Sequence, residues 1–150
     1  MILVVGSTGS VGNRIVRELL ASGEQHVCPV AGLNDGALFV VDALVEGREA
    51  QLAVDTGALR TDLLAGAEAA RPLLSRSVAA EPSYTAGGEV RSRRVPTAKV
   101  IVGSVERVVE LGIVPGEPIS GCPRDGHLAL DVLRSCVMAI NPYSFAAWCD

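Results

Sequence analysis

The sequence predicts a mainly β domain that is preceded by a short strand and helix. Three observations support this fold class. A chain of 150 residues has the length of one domain, too short for a nucleotide domain and a substrate domain together. Hydrophobic residues make up 49% of it, enough to build a core. From residue 37 onward, short apolar runs alternate with turn residues at the spacing of strands.

The charge pattern excludes several kinds of partner. Thirteen basic and 17 acidic residues give a formal net charge of −4. The one tight basic run, Arg91, Arg93 and Arg94, contains no aromatic residue, so we predict no nucleic-acid groove. No apolar stretch approaches the roughly 20 residues that span a bilayer, and the first residues lack the pattern of a signal peptide. We therefore expect a cytoplasmic protein with no membrane partner.

The four cysteines, Cys28, Cys122, Cys136 and Cys149, have no paired spacing. In a cytoplasmic chain they are expected to be reduced. Cys122 and Cys136 with His127 fit none of the usual zinc spacings, so no metal site is predicted.

The N-terminal 27 residues follow their own pattern. An apolar strand at 2–5 leads into a turn with Gly6, Gly9 and Gly12, and helical spacing of apolar residues follows over 13–21. The segment resembles the first strand, turn and helix of NAD(P)-binding Rossmann proteins of the NmrA-like and extended short-chain dehydrogenase group. That resemblance implies cofactor binding by the three glycines. The next acidic residue, Asp35, comes too late for the usual ribose contact, so the preferred interpretation is an appendage without cofactor, with NAD(P) binding as the alternative.

Residues 37–142 contain most of the predicted strands. The first two, 37–45 and 49–54, form a hairpin across Glu46-Gly47-Arg48. The other predicted elements are a helical or loop stretch at 61–74, strands at 77–84, 90–102 (broken at Pro96) and 105–114, a helix at 131–135 and a strand at 136–140. Residues 143–150 are predicted to be a C-terminal tail.

The chemistry is predicted at Asp55-Thr56-Gly57-Ala58, directly after the second strand of the hairpin. With 7 Asp, 5 Thr and 16 Gly in the chain, chance would give roughly 0.025 such triplets. A carboxylate at the exit of a strand, next to a glycine that permits close backbone approach, can accept hydrogen bonds from neighbouring amides. Asp55 is therefore the candidate catalytic residue.

The order of these segments resembles the retropepsin-like aspartic proteases. The resemblance rests on the hairpin and Asp-Thr-Gly-Ala, on Tyr84-Thr-Ala-Gly-Gly-Glu89 in the place of a glycine-rich flap, and on 125–134 as the late segment before a C-terminal helix. It implies a closed barrel of the acid protease fold and endopeptidase activity without a cofactor. Asp55 would then be the catalytic acid and base, Thr56 would lock the active-site loops, and Gly57 would leave room for water. Ala58, Gly87 and Gly88 would contact a peptide or protein substrate.

Two features qualify this resemblance. The family's late segment usually reads apolar, apolar, glycine, and here it reads His127, Leu128, Ala129, which adds a methyl group at a close approach. The mechanism also needs two carboxylates, whereas the chain has one Asp-Thr-Gly, so a protease of this kind would be a homodimer with one Asp55 from each subunit. A non-catalytic dimerisation or peptide-binding domain of the same fold is the second alternative.

Overall fold

The computed structural model describes residues 26–29, 37–85, 88–118, 122, 124–141 and 144–149. The predicted N-terminal strand, glycine turn and helix lie in residues 1–25, outside the described residues. Gly87 and its neighbour Ala86, in the predicted flap, are also outside the described residues.

Strands dominate the described residues, as the sequence predicts. The strands are β1 (His26–Pro29), β2 (Ala37–Val45), β3 (Arg48–Val54), β4 (Asp62–Leu64), β5 (Val78–Ala79), β6 (Ser83–Thr85), β7 (Gly88–Val90), β8 (Arg93–Val102), β9 (Val105–Val114), β10 (Gly126–Leu128), β11 (Cys136–Asn141) and β12 (Ser144–Cys149). The helices are α1 (Arg71–Leu74), which follows a 3-10 turn at Glu68–Ala70, and α2 (Leu130–Leu133). No helix in this described part has the length and apolar character needed to cross a membrane.

Six strands form a closed barrel in the order β2-β3-β10-β4-β9-β8, and β8 returns to β2. The closing seam is short and pairs Leu44 with Ile101 and Val45 with Val100. β1 and β5 extend the sheet beside β2 and β8, while β6–β7 and β11–β12 form separate two-stranded sheets. The predicted mainly β closed barrel is therefore confirmed.

The turn between β2 and β3 strengthens the closing seam. Glu46 and Gly47 both have positive φ, 51° and 80°, which suits a two-residue hairpin turn with its glycine. The Glu46 carboxylate accepts a hydrogen bond from the Lys99 backbone amide at 2.6 Å and one from Arg76 at 3.1 Å. These two bonds hold the pKa of Glu46 below its ordinary value, and the bond from the Lys99 amide has the larger effect. A lowered pKa means that the folded state gains stability above the unfolded-state pKa and loses it as acid protonates the carboxylate.

The core fills the inside of the barrel. Alternate residues of the barrel strands point inward, so that side chains from distant parts of the sequence meet there. Those fully buried include Leu52, Leu63, Leu111, Ile113 and Leu128. Burying each side chain of this size contributes about 1.5–3 kcal/mol, and these contacts hold the strands around the site in place.

The three-residue strand β10 completes the barrel next to the Asp-Thr-Gly loop. It runs parallel to β3, with Leu128 beside Val54, and antiparallel to β4, with Gly126 beside Leu63. A Cβ at Gly126 would overlap the backbone carbonyl of Asp62. Only glycine therefore permits this approach of β10 to β4.

Several elements differ from those predicted. The stretch 61–74 begins with a strand, β4, before its helical turns, and β1 and β10 have no counterpart among the predicted strands. Residues 144–149 of the predicted C-terminal tail form β12, which pairs with β11. β8 continues through Pro96, where a register shift between Val95 and Ala98 absorbs the missing amide. The predicted strand over 77–84 separates into β5 and the first strand of the β6–β7 hairpin. The short strands depend on long-range partners and carry little periodicity of their own.

The expectation of reduced cysteines is wrong. Cys122 and Cys136 are each disulfide-bonded. The ladder of β11 and β12 places Cys149 directly opposite Cys136. The spacing of the cysteines in the sequence does not reveal these bonds, because a disulfide forms between cysteines that are close in the folded structure.

Candidate active site

Asp55 stands at the point where β3 leaves the barrel wall. Its backbone amide donates to the carbonyl of Leu128 at 2.9 Å, so the ladder between β3 and β10 continues to this residue. The carboxylate atom Oδ1 accepts hydrogen bonds from the amides of Gly57 at 2.8 Å and Ala58 at 3.2 Å. These bonds fix the orientation of the carboxyl group and leave its second oxygen free of them.

The loop after Asp55 is tight and partly exposed. A Cβ at Gly57 would lie 3.2 Å from the Asp55 oxygen that its amide binds, so glycine gives this hydrogen bond the most room. Thr56 and Gly57 are exposed, and Leu59 shows 80% of its surface to solvent.

A second set of hydrogen bonds holds the far end of this loop. Thr61 is fully buried, and its amide donates to both carboxylate oxygens of Asp131, at 3.1 and 2.9 Å. Its hydroxyl donates to Asp131 at 2.6 Å and accepts from the amide of Ala129 at 3.0 Å. The amide of Leu130 donates to the carbonyl of Ala58 at 3.1 Å. The loop is thus tied at both ends to residues 128–131.

Sequence reasoning missed this role of Thr61 and Asp131. Asp131 is the first residue of the helix predicted over 131–135, and its carboxylate also accepts a hydrogen bond from the amide of Val132 at 3.0 Å. The N-cap position itself is Ala129, which has no side-chain bond to the helix. Thr61 and Asp131 are 70 residues apart in the sequence. The sequence shows only a threonine and an aspartate that each lie next to an apolar run, and this pattern does not predict a contact between them.

The structure places the predicted site residues in two groups. Asp55, Thr56, Gly57 and Ala58 lie together in the loop after β3. Gly88 opens β7, with φ of 110°, in the predicted flap, while Gly87 is outside the described residues. Gly6, Gly9 and Gly12 are outside them as well, so the alternative cofactor site has no structural description.

Across the described part of the chain, no three His, Cys, Asp or Glu side chains are grouped closely enough to hold a metal ion.

Ala129 fits its position without strain. It is fully buried, and its backbone angles, φ −114° and ψ −175°, are those of ordinary extended chain. The close approach that would exclude a methyl group lies three residues earlier, at Gly126. The packing has therefore accommodated the Ala129 methyl group.

We expect Ala129→Gly to lower stability without raising activity. The change removes one buried methyl group and adds the backbone entropy of glycine, which together cost about 1–2 kcal/mol. Denaturant unfolding gives the stability, and kcat/KM for peptide hydrolysis gives the activity. A clear rise in kcat/KM would show instead that the methyl group constrains the site.

Comparison with known proteins identifies the family. The profile of the aspartyl protease family matches residues 41–132, which include the hairpin, the Asp-Thr-Gly loop and β10. The chain belongs to this family. The family match gives no support to the N-terminal Rossmann resemblance, since it begins at residue 41.

Among solved structures, the EIAV protease in complex with the inhibitor HBY-793 is similar. It has 15% sequence identity, a TM-score of 0.48, and an alignment covering 63% of this chain and 84% of the EIAV chain. No protein of curated function matches the sequence.

Proposed function

We propose that the chain is an aspartic endopeptidase whose carboxylate pair comes from Asp55 of two subunits. The observation that carries this proposal is the Asp55 carboxylate, oriented by two backbone amides at the exit of β3 in a chain of the aspartyl protease family. Thr56 and Gly57 are proposed to complete the catalytic loop. Ala58, Gly87 and Gly88 are proposed to contact the substrate, which is a peptide or protein.

The chemistry uses one proton shared by two carboxyl groups. Two such groups about 3 Å apart cannot both ionise easily, so one is protonated while the other is a carboxylate. The carboxylate takes a proton from water as that water attacks the scissile carbonyl carbon, and the carboxylic acid donates its proton to the carbonyl oxygen. Transfer of a proton to the amide nitrogen then lets the C–N bond break. No cofactor is needed in this scheme.

A second copy of the chain supplies the missing carboxylate in this proposal. Asp55 is followed by Thr-Gly, and the other six aspartates are not followed by Thr-Gly or Ser-Gly. The exposed Thr56 and Leu59 lie in the same loop as Asp55, where a symmetric partner would cover them. A two-fold contact at this loop would bring the two Asp55 residues together.

We expect activity to depend on protein concentration and on pH. A monomer holds half of the pair, so specific activity falls on dilution as dimers dissociate. The rate is highest at acidic pH, where one carboxyl group is protonated and one is ionised, and it falls when both are ionised.

Peptide cleavage measured against pH at several protein concentrations, with sedimentation alongside, tests both dependences. A monomer with undiminished specific activity, or a rate that rises steadily toward alkaline pH, contradicts the proposed pair. A dimer that binds peptides without cutting them favours the non-catalytic domain.

A further inference from the structure

His127 and Asp62 form a polar pair on neighbouring strands. His127 lies on β10 directly opposite Asp62 on β4, and its Nδ1 is 2.9 Å from Asp62 Oδ1. A carboxylate accepts but does not donate, so Nδ1 carries the proton of this bond. Both side chains are partly exposed, with 25% and 19% of their surfaces accessible. The proposed mechanism does not use either residue.

The strand registers place this pair on the same face of the sheet as Asp55. His127 is opposite Ala53 as well as Asp62, and residues directly opposite one another project to the same face. Side chains alternate along a strand, so Asp55 follows Ala53 on that face. The residues one step away on these strands, Leu52 and Leu63, point into the barrel core. The polar pair therefore lies outside the barrel core, on the face that continues to Asp55, where its neighbour Ala53 belongs to a second, smaller buried cluster.

The pair is close enough to Asp55 to contact a bound peptide. His127 lies on the neighbouring strand, opposite Ala53, which is two residues before Asp55. This places the Cα of His127 on the order of 8 Å from the Cα of Asp55. An extended peptide advances about 3.3 Å per residue. A substrate side chain two or three residues from the scissile bond can therefore reach the pair.

The chemistry of the pair favours a cationic side chain. Within the described residues, Asp62 Oδ2 has no hydrogen-bond partner, and the Asp62 side chain is partly exposed. In the strand register Arg94 stands opposite Gly112, which is itself opposite Asp62, and Arg94 pairs with Glu110 at 3.1 Å. Arg60 pairs with the same Glu110 at 2.9 Å. The carboxylate of Asp62 thus remains available to a substrate ammonium or guanidinium group.

We infer that His127 and Asp62 form a specificity subsite that selects a lysine or arginine side chain two or three residues from the scissile bond. His127 orients Asp62 through the Nδ1 hydrogen bond, and Asp62 Oδ2 binds the cation. This inference rests on the proposed peptidase function, and it goes beyond that function by naming a substrate feature.

Matched peptides test the subsite. One peptide series carries lysine at each of the three positions on either side of the cleaved bond, and a second carries norleucine, which has nearly the same length without the charge. We expect the wild-type protein to prefer lysine at one of these positions. Asp62→Asn should lower kcat/KM for that lysine peptide about tenfold and leave the norleucine peptide within about twofold. His127→Leu should weaken the preference in the same direction.

The control is Glu106→Gln, which removes one negative charge from the far end of β9, where Glu106 pairs with Lys99. It should leave the lysine preference intact. Equal losses for both peptides in Asp62→Asn, or an unchanged preference, overturn the subsite while leaving the peptidase assignment in place.

A binding measurement separates the subsite from catalysis. Titration of the Asp55→Asn variant with the two peptides, followed by NMR of the His127 ring protons, reports contact without cleavage. Chemical-shift changes of the His127 ring protons that the lysine peptide causes in Asp55→Asn, and that are absent in the double variant Asp55→Asn/Asp62→Asn, support the subsite. They do so even if the wild-type protein cleaves no peptide. Identical responses to lysine and norleucine peptides overturn it.

Discussion

Asp55→Asn is expected to abolish measurable peptide hydrolysis and to leave the fold intact. General acid and base groups contribute about 10²–10⁴-fold to rates, and the change removes the ionisable group from both subunits of the proposed dimer. The asparagine oxygen can still accept the hydrogen bonds from Gly57 and Ala58, so the loop keeps its shape. Turnover of a peptide library and thermal unfolding of the same preparation measure the two effects separately.

Asp42→Asn is the matched control for this prediction. Asp42 is an exposed aspartate on β2 that accepts a hydrogen bond from the side chain of Gln51 at 3.3 Å. The same chemical change there should alter kcat/KM by less than about twofold. If Asp55→Asn still hydrolyses peptides, Asp55 is not the catalytic residue, and the proposed aspartic endopeptidase mechanism is wrong.

Asp131→Ala is expected to cause the largest loss of stability. It leaves the buried amide and hydroxyl of Thr61 without their carboxylate acceptor. Hydrogen bonds to a charged group contribute about 1.5–3 kcal/mol each, so we expect the free energy of unfolding to fall by about 3 kcal/mol or more. Activity should fall as well, because the Asp55 loop is tied to the barrel at this end. Denaturant titration followed by far-ultraviolet circular dichroism measures the stability.

Asp131→Asn separates the hydrogen bonds from the packing. The amide keeps one acceptor oxygen and the size of the side chain, so its cost should be about 1 kcal/mol, well below that of the alanine variant. Equal effects of the two changes would show that charge, and not the bond to the Thr61 hydroxyl, dominates at this position. No loss in either variant would mean that the loop does not depend on Asp131.

The sequence predicted the parts of the site that are local. The hairpin of β2 and β3 and the Asp-Thr-Gly loop follow each other directly in the chain, and strand alternation with turn glycines was enough to find them. The β9 strand, Val105–Val114, was also predicted, because its ten residues are long enough to show a pattern.

The remainder of the site depends on contacts between distant residues. β4 is three residues long, and it becomes a strand because Asp62 pairs with Gly112 on one side and His127 on the other. Gly126 is needed because the backbone of Asp62 lies against it. The residues next to Gly126 in the sequence give no indication of this contact. Sequence reasoning placed the close approach at Ala129 for that reason, since only the three-dimensional register shows which residue touches the neighbouring strand.

The late position of β10 in the chain has a consequence for biosynthesis. β2, β3 and β4 are complete by residue 64, yet the strand that joins β3 to β4 comes from Gly126–Leu128. Until these residues leave the ribosome, the amides of Asp55 and Leu64 lack the carbonyls of Leu128 and Asp125 that bind them. A nascent chain therefore carries the Asp-Thr-Gly motif on an open sheet with unpaired strand edges, which are prone to aggregate. The ordering of the Asp55 loop is in this way postponed until residues 125–128 have been synthesised, so a shorter nascent chain would lack the hydrogen bonds that hold the candidate site together.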